Sequence, residues 1–356
     1  MLAPITLDDI EALAVGAWIL GTGGGGSPYL GLLNMRRLYA EGRRVSLMSP
    51  LDLADDDWVA VVSNMGAPLV GQERLADSRN IARAVEIQRG LLGADLRAVM
   101  ALEIGGGNSI QPLMAAAHLG LPVIDADTMG RAYPEAQMTS VAVGDLRPYP
   151  CVLYDPRGIE AVVTKVPDWK WMERVSRKIC VELGSIASTC KAPRTGREIK
   201  ECGIHFTVSK AVAIGRRVRQ AQRDHDDPVA AVLQEGRGKL PFRGKVIGVG
   251  SAPTSIFCLA APSLGITGDG EFNPLPRQGV RISAWRKTIS FSRTSHRRSR
   301  RAGIVRAHRS AQLDHAFRCV GDLQDGNLGP TACLRAESLN RADRCSCRSS
   351  SGTAFR

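Results

Sequence analysis

The sequence predicts an α/β protein whose first part is built on a parallel sheet. Short apolar runs at 45–48, 58–63, 97–102 and 122–124 alternate with segments of helical periodicity. Glycine-containing turns separate them at the spacing of strand–helix–strand units. The run at 58–63 is apolar at almost every position, as in a strand covered on both faces. Together these imply parallel strands joined by right-handed crossovers.

In chain order, Thr6 with Asp9 three residues on forms a capping pair. Ile10, Leu13, Ala14, Ala17 and Trp18 then mark one face of a helix ending at Gly21. The run 21–26 follows, and Ser27 and Pro28 suit the N-cap and first position of a second helix over about 28–41. Helices near 78–90 and 109–119 continue the alternation. After Pro148 the pattern changes. A strand at 160–166 and a helix at 169–183 capped by Asp168 are predicted, then one or two helices over 196–222 and a strand at 242–249. This divides the chain into an N-terminal domain over 1–165, the start of a second domain over 166–250, and a tail over 251–356.

In open parallel sheets, ligands bind beyond the carboxyl ends of the strands. Asn64 follows one predicted strand, Glu103 a second, and Asp125 and Asp127 a third. Their turns contain glycine, and where one opens a helix, as after Gly105-Gly106-Gly107-Asn108, backbone N–H groups converge with carboxylates. Such a cleft could bind a polar heterocycle, polarise a carbonyl-like carbon and deliver water by general base catalysis. Glu103, Asp125 and Asp127 are the candidate catalytic acids. Gly24, Gly25, Gly26, Asn64, Gly106, Asn108, Arg131 and Glu135 are the candidate binding residues, Arg131 as a clamp for an acidic arm of the substrate. Each has a plain structural alternative: Glu103 as a cap, the glycines as close strand–helix contacts, Arg131 with Glu135 as a structural pair. The glycine run is not a dinucleotide fingerprint, because a helix precedes it, and no Gly-Lys-Ser/Thr follows.

His118, His205 and His225 stand at no short ligand spacing, and His118 reads as a residue of a helix C-terminus. Cys151, Cys180, Cys190 and Cys202 read as buried thiols. A divalent metal such as zinc, held by Glu103, Asp125, Asp127 and a distant histidine, stays open without being required by any spacing.

Charge sharpens the organisation. Residues 1–250 carry 30 Lys and Arg against 28 Asp and Glu, a net of +2, whereas 251–356 carry 17 against 7, a net of +10. Sixteen of the 17 tail cations are arginine, and five of the nine cysteines lie there. Cys345 and Cys347 lack zinc-like spacing, and no aromatic residue interleaves with the arginine cluster at 296–301, which argues against a metal module and a nucleic-acid tail. Translation of a GC-rich gene out of frame accounts for this composition, so no compact domain with a buried core is expected beyond about 250. Retranslating the other two frames after codon 249 tests it. No signal peptide or apolar membrane span is visible, so the expectation is a cytoplasmic protein with neither membrane nor nucleic-acid partner.

Four motifs in order carry a family resemblance: Leu20-Gly21-Thr22-Gly23-Gly24-Gly25-Gly26-Ser27-Pro28-Tyr29, Met65-Gly66-Ala67-Pro68, Glu103-Ile104-Gly105-Gly106-Gly107-Asn108-Ser109, and the stretch from Asp125-Ala126-Asp127-Thr128-Met129-Gly130-Arg131 to Met138. Over about residues 6–249 the chain resembles the S-methyl thiohydantoin desulfurase family. The resemblance implies an N-terminal α/β domain and a second α+β, β-rich domain, incomplete in this chain. It also implies hydrolytic removal of sulfur from a thiohydantoin ring, leaving a hydantoin. It assigns no catalytic role residue by residue. The implied partners are a small hydantoin-type substrate and either a second copy of the chain or a hydantoinase-type enzyme. An accessory, non-catalytic subunit of a hydantoinase or oxoprolinase system is the alternative reading.

Overall fold

The first helix starts where the sequence places it, because Thr6 and Asp9 cap each other. The Thr6 Oγ1 accepts the Asp9 N–H, and the Asp9 carboxylate accepts the Thr6 N–H. The computed structural model describes residues 2–22, 24–74 and 77–238, together with the backbone of four later strands. Strand β1 (Ala3–Pro4) leads into α1 (Leu7–Gly21), which ends at Thr22 in the left-handed conformation. Helix α2 (Tyr29–Ala40) follows, with the Ser27 hydroxyl accepting the Tyr29 N–H at 3.3 Å.

The alternation then runs β2 (Ser46–Met48), β3 (Trp58–Gly66), α3 (Pro68–Glu73), α4 (Arg79–Leu92), β4 (Ala98–Ala101), α5 (Gln111–Leu119), β5 (Val123–Ile124), β6 (Ala126–Asp127) and α6 (Ser140–Val143). A hairpin of β7 (Cys151–Tyr154) and β8 (Glu160–Val163) precedes α7 (Trp169–Glu182). Asp168 caps α7 by accepting the Trp171 N–H at 2.8 Å. Then come β9 (Ile186–Thr195), α8 (Gly196–Cys202), β10 (Ile204–His205), α9 (Thr207–Arg223) and α10 (Pro228–Glu235).

Eight strands form one sheet in the order β1-β2-β5-β4-β3-β9-β7-β8. The segment β2-β5-β4-β3 is parallel, as its βα alternation requires, while β9, β7 and β8 continue the sheet antiparallel. Strands β7 and β9 are absent from the sequence-based reading. In β9, Ser188, Thr189, Lys191 and Arg194 break any apolar pattern, yet Thr189, Lys191 and Arg194 are buried through specific partners. Because β9 lies between β3 and β7, the residues on either side of 165 share one sheet.

Residues alternate across this sheet with period two. Ala60 and Val62 face a core made with α1, α2, α4, α5 and α9, whereas Val59 and Val61 face the side covered by Ile199 of α8. Beyond them, Met65 and Cys151 pack under Met172 and Cys180 of α7. Helices α1 and α9 cross at glycine. A Cβ on Gly16 would stand 1.8 Å from the Ala211 carbonyl oxygen, and one on Gly215 would stand 1.8 Å from that of Ala12. Only glycine at both positions lets the backbones meet.

Strands β11 (Lys245–Gly250), β12 (Ser263–Thr267), β13 (Val280–Trp285) and β14 (Thr288–Arg293) pair antiparallel in that order. Whether a core lies beneath them, the question raised by the tail composition, falls outside the described residues. No helix among the described residues is long and apolar enough to cross a membrane.

Candidate active site

The carboxyl ends of β3 and β4 open onto a cavity of about 610 Å³. Its floor is a chain of polar contacts linking three turns. Glu103, 6% exposed, accepts the Asn108 side-chain N–H at 2.7 Å on Oε1 and the Tyr133 backbone N–H at 2.9 Å on Oε2. The Asn108 Oδ1 accepts the Asn64 N–H at 2.7 Å, and its Nδ2 also reaches the Asn64 carbonyl at 3.3 Å. From β9, the Ser188 hydroxyl donates to the Asn64 Oδ1 at 3.1 Å. A carboxylate held by two donors is fixed in position and in orientation. Glu103 therefore points into the site as a preset acceptor, beside Asn64, Asn108 and Ser188.

The glycine turns owe their composition to each other. A Cβ on Gly25 would stand 1.9 Å from the Gly105 carbonyl oxygen, and one on Gly106 would stand 2.3 Å from that of Gly24. The N–H groups of Gly107 and Asn108 donate to the carbonyls of Gly26 and Gly25, at 2.8 and 3.2 Å. Those two amides are thus spent on main chain and do not face a ligand. Gly24, Gly25 and Gly26 line the cavity, while Gly106 lies behind them and Gly107 takes its place on the wall.

Asp125, Asp127 and Arg131 do not line the cavity. Asp125 reaches across to the start of α9, where Oδ1 accepts the Val208 and Ser209 N–H groups at 2.9 and 3.0 Å and Oδ2 accepts the Ser209 hydroxyl. It caps a helix distant in sequence. Asp127, fully buried, accepts the N–H groups of Ile104 and Gly130, both at 2.8 Å, and so ties the Glu103 turn to the next loop. Arg131 donates to the Thr22 Oγ1 at 2.8 Å, at the end of α1. Its side chain lies about 6.0 Å from the Tyr133 ring. The acidic-arm clamp placed on Arg131 is therefore not in the cavity. Glu135 does line it, and its carboxylate accepts from Gln137 at 2.6 Å.

Sequence reasoning missed the opposite wall. Glu173 and Arg177 of α7 form an ion pair there; Glu173 also accepts the Ala136 N–H at 3.1 Å, and Arg177 donates to the Pro134 carbonyl at 3.2 Å. Lys191 of β9 lines the same cavity and is 3% exposed. Its Nζ donates to the Cys151 Sγ at 3.6 Å. Burial pushes the Cys151 thiol up, against a smaller opposing pull from Lys191, so the sulfur is neutral near pH 7. Burial likewise pushes Cys180 up to about 11. No low-pKa nucleophile arises from these thiols.

Among the described residues the acids considered for a divalent metal do not form a ligand set. Among the described residues no group of three or more His, Cys, Asp and Glu side chains could hold one. The three acids considered for it instead bond to amides and to the Ser209 hydroxyl.

Residues 8–165 match the model of the S-Me-THD-like N-terminal domain, and residues 167–266 that of the S-Me-THD-like C-terminal domain. The chain belongs to the S-methyl thiohydantoin desulfurase-like family. The second match continues to residue 266, beyond the 6–249 span over which the sequence shows its resemblance. Of solved structures, a crystal structure of a protein from Chromobacterium violaceum is similar, at 23% identity and a TM-score of 0.63. The match covers 82% of this chain and 78% of that one, and it shows a shared fold. No curated protein matches the chain.

Proposed function

We propose that this S-Me-THD-like protein hydrolyses the carbon–sulfur bond of an S-methyl thiohydantoin, releasing methanethiol and a hydantoin. The observation that carries the reading is the Glu103 carboxylate, buried on the floor of the cavity and locked by Asn108 and the Tyr133 N–H. Family membership supplies the substrate class.

The ring carbon bearing sulfur is an amidine-like electrophile. Glu103 takes a proton from water as the oxygen bonds to this carbon, and the C=N electron pair moves onto the ring nitrogen. The tetrahedral centre collapses by breaking the C–S bond. Glu103 passes its proton to the ring nitrogen; as the carbonyl forms, the hydroxyl proton goes to the sulfur, which leaves with the C–S electron pair as methanethiol, a better leaving group than a ring nitrogen. Water and substrate are consumed one to one, and no oxidant or metal enters the balance. Asn64 and Ser188 supply polar contacts to the ring, and Met65, Met114 and Met129 give the wall a soft apolar surface for the S-methyl group.

The test is methanethiol release by the full chain. In Glu103→Gln one of the two contacts becomes donor against donor, so thermal stability is measured alongside. Folded Glu103→Gln should turn over on the order of 10²–10⁴ times more slowly. Absence of any thiol release by the unmodified chain from S-methyl thiohydantoins, or full activity of Glu103→Gln, would overturn the assignment.

A further inference from the structure

Three cationic side chains line the cavity, and two of them are matched. Arg74 lies 3.4 Å from the Asp155 carboxylate, and Arg177 pairs with Glu173. Lys191 differs. An ammonium carries three donors, and the one hydrogen bond the Lys191 ammonium makes among the described residues is to the Cys151 sulfur, a weak acceptor. That thiol is held neutral by its burial, so it supplies no counter-charge. The four carboxylates on the same walls are engaged: Glu173 with Arg177 and the Ala136 N–H, Glu103 with Asn108 and the Tyr133 N–H, Glu135 with Gln137, and Asp77 with the Arg79 N–H. A buried ammonium left with a thiol is strongly unfavourable unless an anion reaches it, and the cavity is where an anion can enter.

Position sets the subsite apart from the floor. Strand β9 sets Lys191 opposite Val61 of β3 and Ser188 opposite Asn64. Side chains alternate along a strand, so Lys191 leaves β9 on the face of Val61 and Cys151 and Ser188 leaves it on the other, and the cavity borders both. The anion subsite therefore lies on a different wall from the Ser188–Asn64–Asn108–Glu103 floor.

We propose that Lys191 forms an anion subsite of this cavity that takes the carboxylate of an acidic ring substituent, making the substrate class a thiohydantoin with a carboxylate-bearing arm. This deepens the desulfurase reading and rests on it. One ammonium matches one carboxylate. A multiply charged group such as a phosphate would instead meet the four acids on the walls, Asp77, Glu103, Glu135 and Glu173.

The experiment is calorimetric titration of the full chain with two product-like ligands, 5-(carboxymethyl)hydantoin and its uncharged primary amide. The acid should bind at least tenfold more tightly. Lys191→Met should bring the two within about twofold by weakening the acid alone, and Lys191→Arg should keep part of the preference. Equal affinities in the unmodified chain, or a preference that survives Lys191→Met, would overturn the subsite and leave the desulfurase reading standing. If neither hydantoin binds, acetate is titrated against the Lys191 side-chain resonance, assigned by its loss in Lys191→Met. A saturable shift then keeps the anion subsite while removing the hydantoin substrate, and no shift removes both.

Discussion

Asp125 offers the sharpest separation between a structural and a chemical acid. Its carboxylate accepts three hydrogen bonds from the first turn of α9, and the residue is buried. In Asp125→Ala the Val208 and Ser209 N–H groups lose their acceptor, and the helix loses the negative charge at its N-terminus. Leaving a buried donor without its acceptor costs about 1–3 kcal/mol for each group. Asp125→Asn keeps an oxygen where Oδ1 lies, so both amides stay bonded. What it loses is the charge, worth about 0.5–2 kcal/mol at a helix end, and the second acceptor for Ser209, which can still accept a bond from the new amide. Urea denaturation should therefore place Asn about 1–2 kcal/mol below the unmodified chain, with Ala well below both. Folded Asp125→Asn should release methanethiol at the ordinary rate. An Ala variant within 1 kcal/mol of the unmodified chain, or an Asn variant that folds but turns nothing over, would refute this account.

Two further predictions concern the scaffold. Gly16→Ala should destabilise by at least about 1–3 kcal/mol, because its methyl group meets the Ala211 backbone and no rotamer relieves it. Gly90→Ala, at an exposed position of α4 with nothing within 4 Å, should instead stabilise by about 0.5–1 kcal/mol; equal effects in chemical denaturation would contradict the helix-crossing argument. Asp155 titrates. Burial raises its carboxyl, but the Arg157 side chain and N–H, with Arg74, outweigh this and hold it below the usual 3.8. A depressed folded value means that its stabilisation is present above about pH 4 and is lost as pH falls through the folded value. Asp155→Asn should be less stable than the unmodified chain at pH 6, with the gap closing on acidification; a gap independent of pH would count against the linkage.

What could be read from sequence follows from how locally each feature is determined. The Thr6–Asp9 cap, the Asp168 cap and the helix before the glycine run depend on neighbours three residues away, and the structure has all three. Glu103 lies just beyond β4, where a buried strand announces its own carboxyl end, whereas Asn64 lies inside β3, which runs past the apolar stretch to Gly66. Asp125 and Asp127 satisfied the same rule, but a cap for α9 depends on residues 207–209 folding back, which no spacing near 125 encodes. Lys191 was invisible for a related reason. Strand β9 contains Ser, Thr, Lys, Pro and Arg, and these read as a loop until β3 and β7 flank them. The glycines were legible as close contacts, though not that each turn makes the other necessary.

The place of β9 also sets an order of events during synthesis. Strand β3 is complete at residue 66, but its neighbour on the β9 side is not made until residue 195. A nascent chain carrying β2 to β8 has a long apolar strand with one edge open and a hairpin with nowhere to dock. Open strand edges invite pairing with other chains. The two matched family modules are consequently sequential in the gene and simultaneous in folding, and the first is sealed only by a strand from the second.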